Sequence, residues 1–143
     1  MSTTHHSPAW PPLLLAWLMA LFATLAALFI GEVMGQAPCV LCWFQRIFMF
    51  PLALILAVAC YRADFAVWYY ALPLSVTGGL IALGHSLLYF GIIPQRIQPC
   101  SASGPSCTDA NMVILGMPLP VLALVTFTLI TVLLLIVRRR TAQ

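Results

Sequence analysis

Lysine is absent from this chain of 143 residues, acidic residues number three, and charged residues altogether make up 6% of it. A soluble domain carries about a quarter charged residues, so an ordinary water-facing surface is excluded. Internal repeats, charge blocks and low-complexity tracts are missing too, which leaves no sign of a solenoid or a long linker. The net charge of +3 rests on six arginines, half of them in the terminal run Arg138, Arg139 and Arg140. That run reads as a topology signal, and no nucleic-acid partner is expected.

What the chain does have is apolar sequence, 63% of its residues. Stretches of about 18 or more apolar residues match the hydrocarbon thickness of a bilayer. Four such stretches run approximately over 13–30, 40–61, 65–90 and 118–137. Lipid demands internally hydrogen-bonded helices or closed barrels, and these runs are too long for barrel strands. The expected fold is therefore an all-α membrane protein, a bundle of four transmembrane helices forming one integral membrane domain over residues 1–143.

Arg62 between the second and third spans, and the arginine run after the fourth, predict that both face the cytoplasm. Both termini then lie inside, and the outer loops are 31–38 and 91–117, with Glu32, Arg96 and Asp109 as their charges. A cleaved signal peptide is the alternative for the first stretch. Residues 1–12 contain no Lys or Arg, and the apolar run exceeds the ~7–15 residues of a signal core, so a retained span is expected. The proline-rich start (Pro8, Pro11, Pro12) reads as a disordered tail.

The five cysteines are Cys39, Cys42, Cys60, Cys100 and Cys107. On a continuous second helix Cys60 lies about 27 Å from Cys42, beyond the ~7 Å Cα separation that a disulfide tolerates. It is expected to be a spectator. Cys39 and Cys42 open the second span just after Pro38, three residues apart and on one helical face. Unpaired N–H groups and the positive end of the helix dipole favour a thiolate there, which suits redox exchange. A static disulfide or half of a metal site are the alternatives. No second CxxC accompanies this one, and an oxidising outer face favours bridges over free thiolate ligands, so no metal is expected.

Cys100 and Cys107 sit in the longer outer loop among Ser, Gly and Pro. A bridge between them would close a short ring and stabilise little, but an exposed bridge is reachable by another protein's thiolate. The relay reading is preferred to stapling on that ground. After it, Thr108–Leu115 has an N-cap residue and an apolar run, which fits either a short surface helix or plain re-entry toward the fourth span.

Arg46 stands inside an apolar span, where an arginine costs at least ~2.5 kcal/mol at the bilayer centre. It lies one turn beyond Cys42 on the same face. His85 occupies a matching depth near the outer end of the third span. A cation and an imidazole beneath a dithiol could hold the carbonyl oxygens of a quinone. Arg46 snorkelling to headgroups, and His85 bonding a neighbouring helix, are the plainer readings of each taken singly.

The segment Pro38-Cys39-Val40-Leu41-Cys42-Trp43-Phe44-Gln45-Arg46 resembles the PCxLCxxxR signature of the DsbB family of disulfide bond formation proteins. Four spans, a second cysteine pair before the last of them, His85, and Met117-Pro118 at the start of the fourth agree with the family plan over nearly the whole chain. The short spacing of Cys100 and Cys107 looks more like its compact BdbC-type branch. Gln45 stands where some relatives have an acidic residue.

The resemblance implies a quinone-dependent protein thiol oxidase in a bacterial inner membrane, with its redox loops on the periplasmic side. It would reoxidise a DsbA-type thioredoxin-fold partner and pass two electrons to the membrane quinone pool, either ubiquinone or menaquinone. Catalytic roles then fall to Cys39, Cys42, Cys100 and Cys107, with Arg46 and His85 binding the quinone. The partner would attack the Cys100–Cys107 bridge at Cys100. The reduced loop pair would be reoxidised by the Cys39–Cys42 bridge, and the Cys42 thiolate would donate to the quinone. Two rivals are a vitamin K epoxide reductase-like enzyme, distinguished by the direction of electron flow, and a non-enzymatic membrane protein whose cysteines bind metal or staple loops.

Overall fold

A computed structural model describes residues 7–93, 113–114 and 116–142 of the chain. Among the described residues four α-helices carry the fold. Helix α1 spans Trp10–Leu28 and continues as a π-helical turn over Phe29–Val33. Helix α2 spans Val40–Arg62; a 3-10 turn, Phe65–Val67, leads into α3, Trp68–Tyr89; and α4 spans Leu119–Thr141. All four are long and apolar enough to cross a membrane. The chain is a four-helix, multi-pass membrane protein, as its composition predicts.

Each helix packs chiefly on two others, in the order α1, α2, α3, α4 and back to α1. Buried Leu13, Leu52, Leu56, Phe127, Ile130 and Leu134 fill the centre. The outward side chains are equally apolar: Phe22 is 76% exposed and Leu54 71%, the pattern of a surface that meets lipid. With lipid outside, packing and interhelical hydrogen bonds must hold the helices together. Gly78 of α3 supplies the closest approach, because a Cβ built there would lie 2.3 Å from the Phe127 ring of α4. Just beside it the Ser75 hydroxyl donates to the Phe127 carbonyl at 3.1 Å and meets the Thr131 hydroxyl at 2.7 Å.

One expectation is corrected. The proline-rich start is not a tail throughout: Ala9 is fully buried and Trp10 begins α1. Proline needs no N–H in a first helical turn, so Pro11 and Pro12 suit a helix start. Of the segment expected as either a short surface helix or plain re-entry, Val113–Ile114 are described, and they pair antiparallel with Met117–Pro118 as a two-residue β-ladder, β1 and β2. Gly116 between them has φ +80°, a left-handed turn that breaks a helix there. The rest of that segment, with Arg96, Cys100, Cys107 and Asp109, lies outside the described residues.

One end of the bundle brings Pro8 and Arg140 together. Arg140 donates to the Pro8 carbonyl, and the Arg138 guanidinium lies 4.9 Å from the centre of the Trp68 ring. Cys60 packs against the core toward this same end. The opposite end holds a smaller cluster in which Cys39 and Leu88 are buried against Leu41, Cys42, Ile93 and Leu119.

Candidate redox site

Pro38 precedes Cys39, and Cys39 caps α2 with an extended backbone (φ −69°, ψ 167°). Its Sγ accepts a hydrogen bond from the Cys42 backbone N–H at 3.3 Å, so a sulfur takes the capping place that a Ser or Asp oxygen usually fills. The Cys39 and Cys42 sulfurs, both free thiols, lie 2.8 Å apart. Cys39 is buried beneath the α3 and α4 ends, whereas Cys42 is half-buried and borders a cavity.

That cavity, about 950 Å³, is walled by α1, α2 and α4. Phe22, Ala26, Met49, Leu122 and Phe127 give it an apolar body, and Gln36, Cys42, Gln45, Arg46 and Thr126 are the polar residues that reach it. Arg46 has partners within the bundle. Its Nη2 donates to the Ala27 carbonyl of α1 at 2.8 Å, and its guanidinium lies 5.7 Å from the Trp43 ring centre. The π-helical turn begins at Phe29, just beyond Ala27 and Leu28, and such changes of hydrogen-bond register recur at functional sites. Gly31 in that turn faces the guanidinium: a Cβ there would sit 3.1 Å from Nη2 and 3.2 Å from Nη1.

His85 is fully buried on α3 and is not among the residues lining the cavity. Its Nε2 lies 3.9 Å from Cys39 Sγ, and its Nδ1 is 3.1 Å from the Gln45 amide nitrogen. The structure thus brings Cys39, Cys42 and His85 together, with their donor atoms all within 4.8 Å, and puts Arg46 beside Cys42 on the cavity wall. Arg46 lines that cavity and His85 does not, although their matching depths suggested one shared ligand. An anionic sulfur at Cys39 has two stabilising neighbours, the Cys42 N–H and the imidazole.

Sequence reasoning overlooked Gln45 as a site residue, although its position three residues after Cys42 puts it on the same helical face. Gly31 and the Ala27 carbonyl left no comparable signal, since their part depends on how α1 lies against α2.

The sequence profile of the family "DsbB: Disulfide bond formation protein DsbB" matches residues 10–137. A "Probable disulfide formation protein" of Metapseudomonas resinovorans is 67% identical over 133 residues, covering 92% of each chain. One of the same description from Deinococcus radiodurans is 38% identical, covering 90% of this chain and 89% of its own. "Disulfide bond formation protein C" of Bacillus subtilis is 38% identical over 82% of this chain and 85% of its own length. No solved structure is a match. A profile covering most of the chain, and relatives matched over most of their length, agree with a thiol pair capping a membrane helix: the chain belongs to the DsbB family of disulfide bond formation proteins.

Proposed function

We propose that this oxidoreductase is a thiol:quinone oxidase that regenerates the disulfide of a DsbA-type thioredoxin-fold partner. Residues 1–143 form one membrane domain, with the Cys39 end of the bundle facing the periplasm and the arginine-rich end the cytoplasm. The observation that carries the reading is that Cys42 and Arg46 line one largely apolar cavity. A quinone ring with an apolar tail fits such walls, with its carbonyl oxygens toward the polar groups. When bound, the quinone supplies oxidising power by accepting two electrons and two protons per bridge formed.

Each residue then has a step. The partner's thiolate attacks the Cys100–Cys107 bridge, and release of the oxidised partner leaves that pair reduced. A loop thiolate attacks the Cys39–Cys42 bridge at Cys39, freeing Cys42 as a thiolate beside the cavity; the second loop thiol resolves the mixed disulfide. Cys42 delivers the electron pair into the cavity, and attack by Cys39 on the Cys42 sulfur restores the bridge. His85 Nε2, 3.9 Å from Cys39 Sγ, takes the proton that Cys39 gives up. Arg46, held by Ala27, offers positive charge where negative charge develops.

The test is quinone reduction by the purified protein, followed optically while a reduced thioredoxin-fold thiol oxidase is supplied. Turnover should vanish in both Cys42→Ser and Cys100→Ser. Turnover that persists in either would overturn the two-pair relay.

A further inference from the structure

We infer that the reduced Cys39–Cys42 pair and His85 form an inhibitory binding site for a thiophilic divalent cation such as Zn²⁺ or Cd²⁺. The inference rests on the pair cycling through a dithiol, and it does not depend on which electron acceptor is used.

Three donor atoms of suitable chemistry converge here, two sulfurs and an imidazole nitrogen, all within 4.8 Å of one another. Zinc sits about 2.3 Å from thiolate sulfur and about 2.0 Å from imidazole nitrogen, so tetrahedral donors lie roughly 3.5–3.8 Å apart. The 3.9 Å between Cys39 Sγ and His85 Nε2 is already close to that. The sulfurs, 2.8 Å apart, must separate by about 1 Å. Cys42 is half-buried at the cavity wall, where its side chain has room to turn.

The second ring nitrogen is also provided for. Metal-bound histidines as a rule engage their other nitrogen with an outer partner that sets ring orientation and tautomer, and Gln45 lies 3.1 Å from His85 Nδ1. With its amide oxygen turned to Nδ1–H, Gln45 leaves the Nε2 lone pair for the cation.

Charge favours the complex. Binding converts two thiols and M²⁺ into a neutral metal dithiolate and releases two protons to water, with no change of oxidation state. The site then holds no net charge in apolar surroundings, whereas a bare dithiolate would be costly. A cation held there withdraws both sulfurs from exchange, so the relay stops in its reduced state. The oxidised pair has no thiolate to offer, and the site exists only in the dithiol form.

The experiment uses full-length protein in detergent carrying Cys60→Ala, Cys100→Ser and Cys107→Ser, so that the remaining thiols are Cys39 and Cys42. Cd²⁺ is titrated into the reduced protein and the cadmium–thiolate charge-transfer absorbance is read. One cation per chain is expected, displaced by Zn²⁺, with no signal after oxidation of the pair. His85→Gln should weaken binding roughly 10-fold or more. X-ray absorption on the zinc-loaded His85-containing protein reads the donor set without that substitution, and should give two sulfurs at about 2.3 Å and nitrogen at about 2.0 Å. Absence of a stoichiometric signal, or a zinc shell without nitrogen, would overturn the proposal. Neither result touches quinone reduction, which is measured separately.

Discussion

His85 Nε2 lies 3.9 Å from Cys39 Sγ, while Arg46, on the same face of α2 as Cys42, turns to the Ala27 carbonyl of α1 at 2.8 Å. The buried imidazole and the half-buried guanidinium thus serve different atoms. Their substitutions should separate kinetically. Arg46→Ala removes a charged hydrogen-bond donor from the cavity wall and should raise the KM for quinone roughly 10-fold or more. His85→Ala removes the proton acceptor beside Cys39 and should lower kcat about 100-fold with KM nearly unchanged. Steady-state kinetics over a quinone concentration series reads both, and a raised KM in His85→Ala would put the imidazole against the quinone instead.

Gly31 should tune the same KM without touching the ligand. A methyl group there would meet the Arg46 guanidinium at 3.1 Å, and the side chain would leave its present rotamer to relieve the contact. An off-rotamer side chain costs about 0.5–1.5 kcal/mol, so Gly31→Ala should raise KM about 2- to 10-fold. The melting temperature measured beside it should hardly move, which separates loss of Arg46 positioning from loss of fold.

Gly78 gives the opposite pattern. Its Cβ would lie 2.3 Å from the Phe127 ring, in the middle of the α3–α4 contact where neither backbone can yield cheaply. Gly78→Ala should therefore destabilise the bundle by about 1–3 kcal/mol. Denaturant unfolding in mixed micelles measures this, and adding Phe127→Leu should recover part of the loss by clearing the space.

Ser75 and Thr131 offer a measure of how much a polar contact contributes between these helices. Their hydroxyls meet at 2.7 Å, yet interhelical hydrogen bonds in lipid average only ~0.6 kcal/mol, because the separated helices find other partners. A double-mutant cycle with Ser75→Ala and Thr131→Val should return a coupling of that size. A coupling near zero would leave the α3–α4 contact to packing alone.

The four helices were legible because hydropathy is a local property: a run long enough to cross a bilayer announces itself residue by residue. The expected first span begins at Leu13, yet α1 starts at Trp10, because proline signals an interruption in one context and a helix start in another. Gly116 was read only as part of the outer loop 91–117, and its left-handed backbone marks the turn between β1 and β2. Gln45 was noted only for the acidic residue it replaces, because its amide matters once α3 brings His85 opposite it.

By itself the sequence determined the helix count, the cysteine pair at the start of α2 and the shared face of Cys42 and Arg46, all consequences of composition and of a 3.6-residue period. Only the tertiary structure decided that His85 meets Cys39, that Arg46 is held by the Ala27 carbonyl, and that a cavity opens between α1, α2 and α4. Those relations depend on how each helix is rotated about its axis. In lipid, hydropathy scarcely constrains that rotation, because every face of these helices is apolar. Close contacts at residues such as Gly31 and Gly78 set it instead, and they exist only when two helices have met.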